Sequence, residues 1–490
     1  MRNTIAVIGR GELADIVGRN LSGTYRIVRR TDIRFGVPKS AKLCVVLSED
    51  YRSSTVQSMA EEMGRTGVPW LAGMIVDDEG IVGPFVRPGG RGCALCAERR
   101  RLSAEHERQK SLELQWRLWR SGVIERGRGA SRWGLAQMSR LIDAEVGWIL
   151  AQGTARTENR VYLLDLATLT ASLHAFLPDP LCPICGGLPA DSAESASLVM
   201  QSSPKAGTGS YRGRSLEQLS EVLASDYLDE RTGLLNAADQ DIRSPFSDVL
   251  AALPSLGSGE RTAGRSHSYK TSLQIAMLEG LERYCGGTRR SKRSAVFEAY
   301  REVADRALDP LSVGVYSPEQ YALPDFPYRP FDPETPIPWV WGYSLTRERP
   351  LLVPEQIAYY GTGFAGEYVS EGSNGCSLGG SMAEAILHGI MEVVERDAFL
   401  LTWYARLPIP RLDPDSAGDA ELSLMIARLR FVAGFDAFLF NSTQENGIPS
   451  IWAVAKNRNR AGANLICAAG AHPDPVRAAK SALFELAGQA

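Results

Sequence analysis

Two groups of side chains carry the chemistry open to this sequence. Cys93 and Cys96 in GCALC form one CxxC, and Cys182 and Cys185 in CPICG form a second. Turn residues beside each pair let two thiolates converge on one ion. Four thiolates complete a tetrahedron and leave no position for water, the pattern of a closed, structural zinc site. The second group is acidic. Glu279 and Glu282 lie three residues apart in LQIAMLEGLERYCGG, with Arg283 beside them. Glu384, Glu392 and Glu395 follow at steps of eight and three in MAEAILHGIMEVVERDAF, with Arg396 adjoining. Such steps place carboxylates on one helix face. Two readings stay open. One is a solvated charged face. The other notes that Ile275, Leu278, Leu281, Ile386, Ile390 and Val393 make both helices largely buried. Buried acids in a mixed-charge site suit hard cations, and magnesium would bridge them to phosphates.

These groups need elements to hold them. Residues 3–8 read as a buried strand, followed by the turn Gly9-Arg10-Gly11 and a helix from about Glu12 to Leu21. Residues 25–30 and 42–48 read as further strands, 53–67 as a helix stopped by glycine, and 80–90 as a strand entering the first CxxC. Strands alternating with helices predict a parallel sheet. Residues 101–153 are helical and Arg-rich, read as a solvated face, and 160–177 form a strand pair that ends at the second CxxC. The stretch 187–214 is rich in Ser, Ala, Gly and Pro, the composition of a linker. The expected organisation is therefore a scaffold domain 1–190, a linker 191–214 and a second domain 215–490.

The turn Gly9-Arg10-Gly11-Glu12-Leu13-Ala14 fits GxGxxA between strand and helix, the setting for a phosphate on a helix N-terminus. The next strand ends in Arg29-Arg30, where a ribose-binding carboxylate is expected, so the favoured reading is a Rossmann-like scaffold that no longer binds nucleotide. Residues 67–71, GPFVRPGGRGCALCAERR (83–100) and CPICGG resemble the ThiF/MoeB-like, ubiquitin-activating-type fold, and more closely its degenerate version in azole- and azoline-forming cyclodehydratases. That resemblance implies a zinc-bearing scaffold without adenylation activity.

The second half resembles another family. GRSHSYKT followed by A-x-x-E-x-x-E-R-Y, then SNGCSLGG (373–380) followed by E-A-x(6)-E-x-x-E-R, is similar to the YcaO domain, and the likeness runs from about 215 to the end. The resemblance implies an α+β fold that holds ATP through magnesium. It places Glu279, Glu282, Glu392 and Glu395 on magnesium and adds Glu384, Arg283 and Arg396 to the nucleotide site. Arg265 stands where many relatives carry Lys and is implied as a phosphate contact. Ile275 departs from the family's Ser. Glu485 and Gln489 are implied to complete the site. YcaO domains usually continue well past such a helix, so the chain is expected to be either a fragment or an incomplete member of that family.

The activity implied is ATP-dependent cyclodehydration of Cys, Ser or Thr in a ribosomally made precursor peptide, giving thiazoline or oxazoline in antibiotic biosynthesis of the thiopeptide or linear azole type. The alternatives are thioamide formation, a non-catalytic peptide-docking scaffold, and an adenylating activator using the N-terminal half. The start at a Rossmann-like strand implies that the leader peptide is gripped by a separate partner protein with a winged-helix module. A homodimer is common in the family. A net charge of −3 gives no basic field for nucleic acid, and no apolar run is long enough for a membrane span or a signal peptide. A cytoplasmic protein with reduced thiols is expected. No Walker A sequence and no Ser/His/Asp set stands out, and Cys285 and Cys376 read as small core residues.

Overall fold

The computed structural model describes residues 2–103, 108–127, 129–207, 209–254, 260–293, 296–361, 368–370, 372–459 and 462–489. The chain forms two compact units. Unit 1 comprises residues 1–188, 221–237 and 252–260, and unit 2 comprises 189–220, 238–251 and 261–490. Only helices of nine residues or more are numbered below.

Unit 1 is built on a seven-stranded sheet of order β2-β1-β3-β4-β5-β6-β7. Its strands are β1 (Thr4–Ile8), β2 (Arg26–Arg30), β3 (Ala41–Ser48), β4 (Trp70–Val76), β5 (Glu79–Val86), β6 (Arg160–Asp165) and β7 (Ala171–Ala175). The first four pair in parallel, as strand–helix alternation predicts, but β5, β6 and β7 pair antiparallel, so the sheet is mixed. The reason is local. β4 and β5 are joined by Asp77-Asp78, with Asp77 at φ 57, a tight reversal that leaves no room for a crossover helix. The run WLAGMIV of β4 is buried at all seven positions, and its unbroken apolar character hides the alternation that marks a strand.

Helices α1 (Glu12–Ser22) and α5 (Arg132–Gln152) cover one face of this sheet; Leu13, Val17, Leu135, Met138, Ile142 and Val146 are all at 1% exposure or less. Helices α2 (Ser53–Thr66) and α3 (Ala94–Ser103) lie in the core on the other face with Val56, Met63 and Trp70, and α4 (Arg108–Ser121) follows. The Arg-rich stretch is not uniformly solvated. Arg101 is buried between Glu98 and Glu79, whereas Trp119 and Trp133 are exposed at 83% and 77%.

The further strands are β8 (Ala237–Asp241), β9 (Ser247–Leu253), β10 (Glu260–Ser266), β11 (Val296–Glu298), β12 (Ile337–Ser344), β13 (Arg349–Pro354), β14 (Arg411–Leu412), β15 (Phe435–Asn441), β16 (Ser450–Asn457) and β17 (Leu465–Ala471). Among the described residues they form three sheets of unit 2, ordered β10-β9-β8, β11-β12-β13 and β14-β15-β16-β17. The helices are α6 (Tyr269–Gly286), α7 (Met382–Ala405), α8 (Ala420–Arg428) and α9 (Pro475–Ala487). Each long helix begins at an oxygen cap: Ser268 accepts from the Thr271 N–H, Ser381 from the Glu384 N–H, and Asp474 caps α9, whose N1 residue is Pro475. Helix α9 buries Ala478, Ala479, Ala482, Leu483 and Leu486 in a core shared with Ile451, Ala453 and Ile466.

The stretch with linker composition is tied into unit 2. Asp191 accepts the Trp341 N–H at 2.8 Å and pairs with Lys292 at 3.2 Å. Gly213 and Arg212 bind Glu384. Residue 208 of that stretch lies outside the described residues. No helix among the described residues is long and apolar enough to cross a membrane.

Candidate functional site

The acidic cluster is assembled from α6, α7 and the glycine-rich segment before α7. Helix α6 lies directly against β10 because Gly264 has no side chain; a Cβ there would sit 1.9 Å from the Ser272 carbonyl oxygen. Four carboxylates are then held in one manner. Glu279 accepts the Ala263 N–H of β10 at 2.9 Å, and Glu282 the Leu378 N–H at 3.0 Å. Glu392 accepts the Gly375 N–H at 3.2 Å, and Glu395 the Ala471 N–H at the end of β17 at 3.1 Å. In every case the bond goes to Oε2. For Glu282, Glu392 and Glu395, no protein donor among the described residues holds the second oxygen. A backbone N–H fixes each carboxylate without neutralising it, and the other oxygen is left for a cation.

The electrostatics agree. Burial, then the facing charges of Glu392 and Glu279, pushes the Glu282 carboxyl up to about 7 despite the Leu378 N–H. Burial, with Glu485 and Glu392 nearby, pushes Glu395 up to about 7 against the pull of Arg396. Burial also raises Glu392, opposed by Arg396 and Arg283. Burial and mutual repulsion disfavour the ionised forms of these carboxyls, and a cation between them would favour ionisation. Their oxygens are not gathered for one ion: among the described residues, only the cysteines bring three or more ligand atoms within 4.8 Å of one another. The four glutamates instead form a row of interacting charges, Glu279 and Glu282 with Glu392, and Glu392 with Glu395.

The cations of the site are Arg283, which pairs with Glu279 at 3.2 Å, exposed Arg396, and Arg265. Arg265 is held by its Nε on buried Asp248 at 2.8 Å and reaches Glu485 at 3.4 Å. Asp248 is a contributor that the sequence reading missed; it stands on β9 outside every recognised motif. Gln489 lies exposed just past α9.

One expectation is corrected, and one residue stands apart. Glu384 is not anchored as the other four glutamates are. Its oxygens accept the Arg212 guanidinium at 3.1 Å and the Gly213 N–H at 2.8 Å, and these partners outweigh burial and keep the carboxyl below its usual range. It is a latch for the 212–213 segment. Nor are both helices largely buried: on α7, Ile390 and Val393 are 42% and 52% exposed and line an open hollow of about 460 Å³ with Gly375, Ser377 and Ile386. The turn N–H groups draw the carboxylates inward, and the apolar stripe then faces out. Cys285 is likewise exposed and not a core residue, while Cys376 is half-buried near Glu282 and Glu392.

In unit 1 the four cysteines converge. Sulfur–sulfur distances are 3.6 Å for Cys93–Cys182, 3.4 Å for Cys96–Cys185 and 4.0 Å for Cys93–Cys96. A disulfide needs about 2.05 Å, and a tetrahedral thiolate centre with metal–sulfur bonds of about 2.3 Å has edges near 3.8 Å. The donor set therefore fits a four-thiolate metal ion, and the Asp179 N–H points at Cys96 Sγ at 3.5 Å.

The sequence also gave no sign of one hydrogen-bonded chain. Ser172 Oγ meets His174 Nε2 at 2.6 Å, and His174 Nδ1 meets Asp229 at 2.9 Å. Asp229 also accepts the N–H groups of Ala175, Arg231 and Thr232, so it serves as the clamp of a turn and fastens residues 229–232 to β7.

The acidic cluster lies within a stretch that matches known proteins. Residues 263–489 match the family profile described as "YcaO cyclodehydratase, ATP-ad Mg2+-binding". An uncharacterised protein from the tfuA 3′ region of Rhizobium leguminosarum bv. trifolii is 37% identical over 164 residues, 31% of this chain and 38% of that protein. An uncharacterised protein of Methanothermobacter thermautotrophicus is 29% identical over 229 residues, 46% of this chain and 56% of its own length. The chain thus spans well under two thirds of either relative. Among solved structures, a heterocyclase in complex with substrate and cofactor superposes over 99% of this chain and 68% of its own, with TM-score 0.80 and 22% identity. The heterocyclase TruD covers 100% of this chain and 67% of its own, with TM-score 0.68 and 21% identity. The fold of the whole chain is that of these heterocyclases, and its residues 263–489 match the YcaO family profile.

Proposed function

We propose that this chain is an ATP-dependent peptide cyclodehydratase whose nucleotide is held by the glutamate row of unit 2. The observation that carries the reading is the shared anchoring of Glu279, Glu282, Glu392 and Glu395, each fixed at one oxygen by a backbone N–H. Crowded carboxylates raised toward neutrality are costly unless cations sit between them. Magnesium bound there would neutralise the phosphates of ATP. Arg265, Arg283 and Arg396 supply the remaining positive charge, and Asp248 fixes the direction in which Arg265 points. Glu485 borders the site from α9, and Gln489, just past that helix, is the residue we assign to complete it.

The substrate proposed is a precursor peptide in which a Cys, Ser or Thr side chain attacks the preceding backbone carbonyl. The attack closes the ring but leaves the amide oxygen, a poor leaving group; phosphorylation by ATP makes it a good one, and its departure as phosphate, with loss of the nitrogen's proton, forms the C=N bond of the azoline. The net change is peptide plus ATP to azoline, ADP and phosphate. The nucleophile belongs to the peptide, and the protein positions the reactants and offsets charge. Unit 1 serves as a ThiF-like scaffold stapled by zinc on Cys93, Cys96, Cys182 and Cys185.

The test is to incubate the protein and its leader-binding partner with ATP, magnesium and a Cys-containing precursor, then weigh the peptide and assay ADP. The reading expects loss of one water per ring with ADP formed. Replacement of oxygen by sulfur would point to thioamide formation, AMP to adenylation, and an unchanged peptide without nucleotide turnover would overturn an enzymatic role.

A further inference from the structure

The last strand of the unit 1 sheet, β7, carries three linked side chains that neither the thiolate cluster nor the glutamate row uses. Ser172 and His174 stand two residues apart on this strand, so their side chains share one face of the sheet. Ser172 Oγ meets His174 Nε2 at 2.6 Å, and His174 Nδ1 meets Asp229 Oδ1 at 2.9 Å. An ionised carboxylate only accepts hydrogen bonds, so Nδ1 carries the proton of the neutral ring and Nε2 turns its lone pair to the Ser172 hydroxyl. Burial opposes the charge on Asp229, but His174 and the N–H groups of Arg231 and Thr232 hold its carboxyl below the usual range. His174 is buried at 6% exposure, whereas Ser172 lies exposed, open to a reactant. A hydroxyl bonded to a base that a third group orients is the arrangement that activates a nucleophile.

The backbone adds a further part. On either side of β7, Asp165 N–H donates to the Thr170 carbonyl and Phe176 N–H donates to the Asn159 carbonyl, so even-numbered residues turn their backbone groups toward β6. Ala175 N–H points the other way, to Asp229. By this alternation the Leu173 N–H faces the outer edge, where no acceptor among the described residues takes it. The N–H of the residue after a nucleophilic serine is one place from which an oxyanion is stabilised.

We propose that Ser172, His174 and Asp229 hydrolyse carboxylic esters at this edge. Ser172 Oγ bonds to the acyl carbon as His174 Nε2 takes its proton, and the Leu173 N–H stabilises the oxyanion. The carbon–alkoxide bond then breaks, the alkoxide takes the proton from His174, and an acyl-Ser172 ester remains. Water gives a proton to His174 and attacks the acyl carbon, and Ser172 departs with that proton. The sum is ester and water to acid and alcohol, with no change of oxidation state.

The test uses the full chain without ATP. A fluorophosphonate, which phosphonylates activated serines with loss of fluoride, is added, and peptide mass spectrometry locates the label. Hydrolysis of p-nitrophenyl acetate is followed in parallel. The expected result is a label on Ser172, formed at least tenfold more slowly in His174→Ala and Asp229→Asn, and ester hydrolysis at least tenfold slower in Ser172→Ala. Melting curves confirm that each variant is folded, and Ser172→Ala, at an exposed position, keeps the test open should the others unfold. Absence of label on Ser172, an unchanged labelling rate in either folded His174 or Asp229 variant, or unchanged hydrolysis in Ser172→Ala would each overturn the proposal.

Discussion

The side chains of the acidic row set opposite demands on stability and ligand binding. Glu282 and Glu395 have folded values near 7, above about 4.3 for an unfolded glutamate. Their protonated forms therefore favour the folded state. That contribution is complete below about pH 4.3 and is lost as pH rises through about 7. Without divalent cations, the protein should melt higher at pH 6 than at pH 8, and magnesium with nucleotide should reduce the difference; calorimetric scans at both pH values check this. Glu282→Gln and Glu395→Gln, each tested alone, should raise the magnesium-free melting temperature at pH 8 by about 2–4 °C and weaken magnesium–nucleotide binding at least tenfold. A variant that melts higher and still binds would remove that residue from the site. Glu384 behaves oppositely, because its value is depressed. Its contribution is present above the unfolded value and lost as pH falls below it. Glu384→Ala leaves Arg212 and the Gly213 N–H without their acceptor and should cost about 1–3 kcal/mol in chemical denaturation. The sequence showed that these glutamates could share a helix face. It could not show that Glu384 turns to Arg212, which is 172 residues away, because that choice is made by tertiary contact.

Among the elements, those with strong local signals were legible. The glycine turn and α1, the helix stopped at Gly67, and the β6–β7 pair all stand where capping residues and periodicity place them. β4 was missed because a strand buried on both faces carries no alternation. The burial of α7 was misjudged because apolar spacing reports a stripe and not its direction. The contact between β10 and α6 gives a sharp test. Gly264→Ala would push a methyl group into the Ser272 carbonyl and should cost about 3 kcal/mol, moving Ala263 and thereby its grip on Glu279. Fluorescence-monitored denaturation gives the cost, and nucleotide titration shows whether the site moves with the strand. The thiolate cluster is also an element-scale device, since it joins α3 to the loop after β7 across 89 residues. Cys93→Ser or Cys182→Ser should reduce bound zinc from about one per chain to none, as read by metal analysis. Removing the metal should also lower the first melting transition. Full zinc occupancy in both variants would show that the metal lies elsewhere.

At the scale of the whole molecule, composition suggested one boundary near residues 191–214, yet the compact units are interleaved. The chain passes between them after residues 188, 220, 237, 251 and 260. Composition could not show this, since short excursions such as 221–237 carry no linker signal of their own. Their attachment rests on particular contacts, such as Asp229 with His174 and Arg231 with Glu79. The braided path has a consequence for inheritance. A gene cut at one point, or a crossover within the serine-rich stretch, would strand residues 221–237 and 252–260 on the wrong fragment. The two halves cannot be shuffled as independent cassettes. A chimera joined at residue 200 would build unit 1 from both parents, residues 1–188 from one and 221–237 and 252–260 from the other.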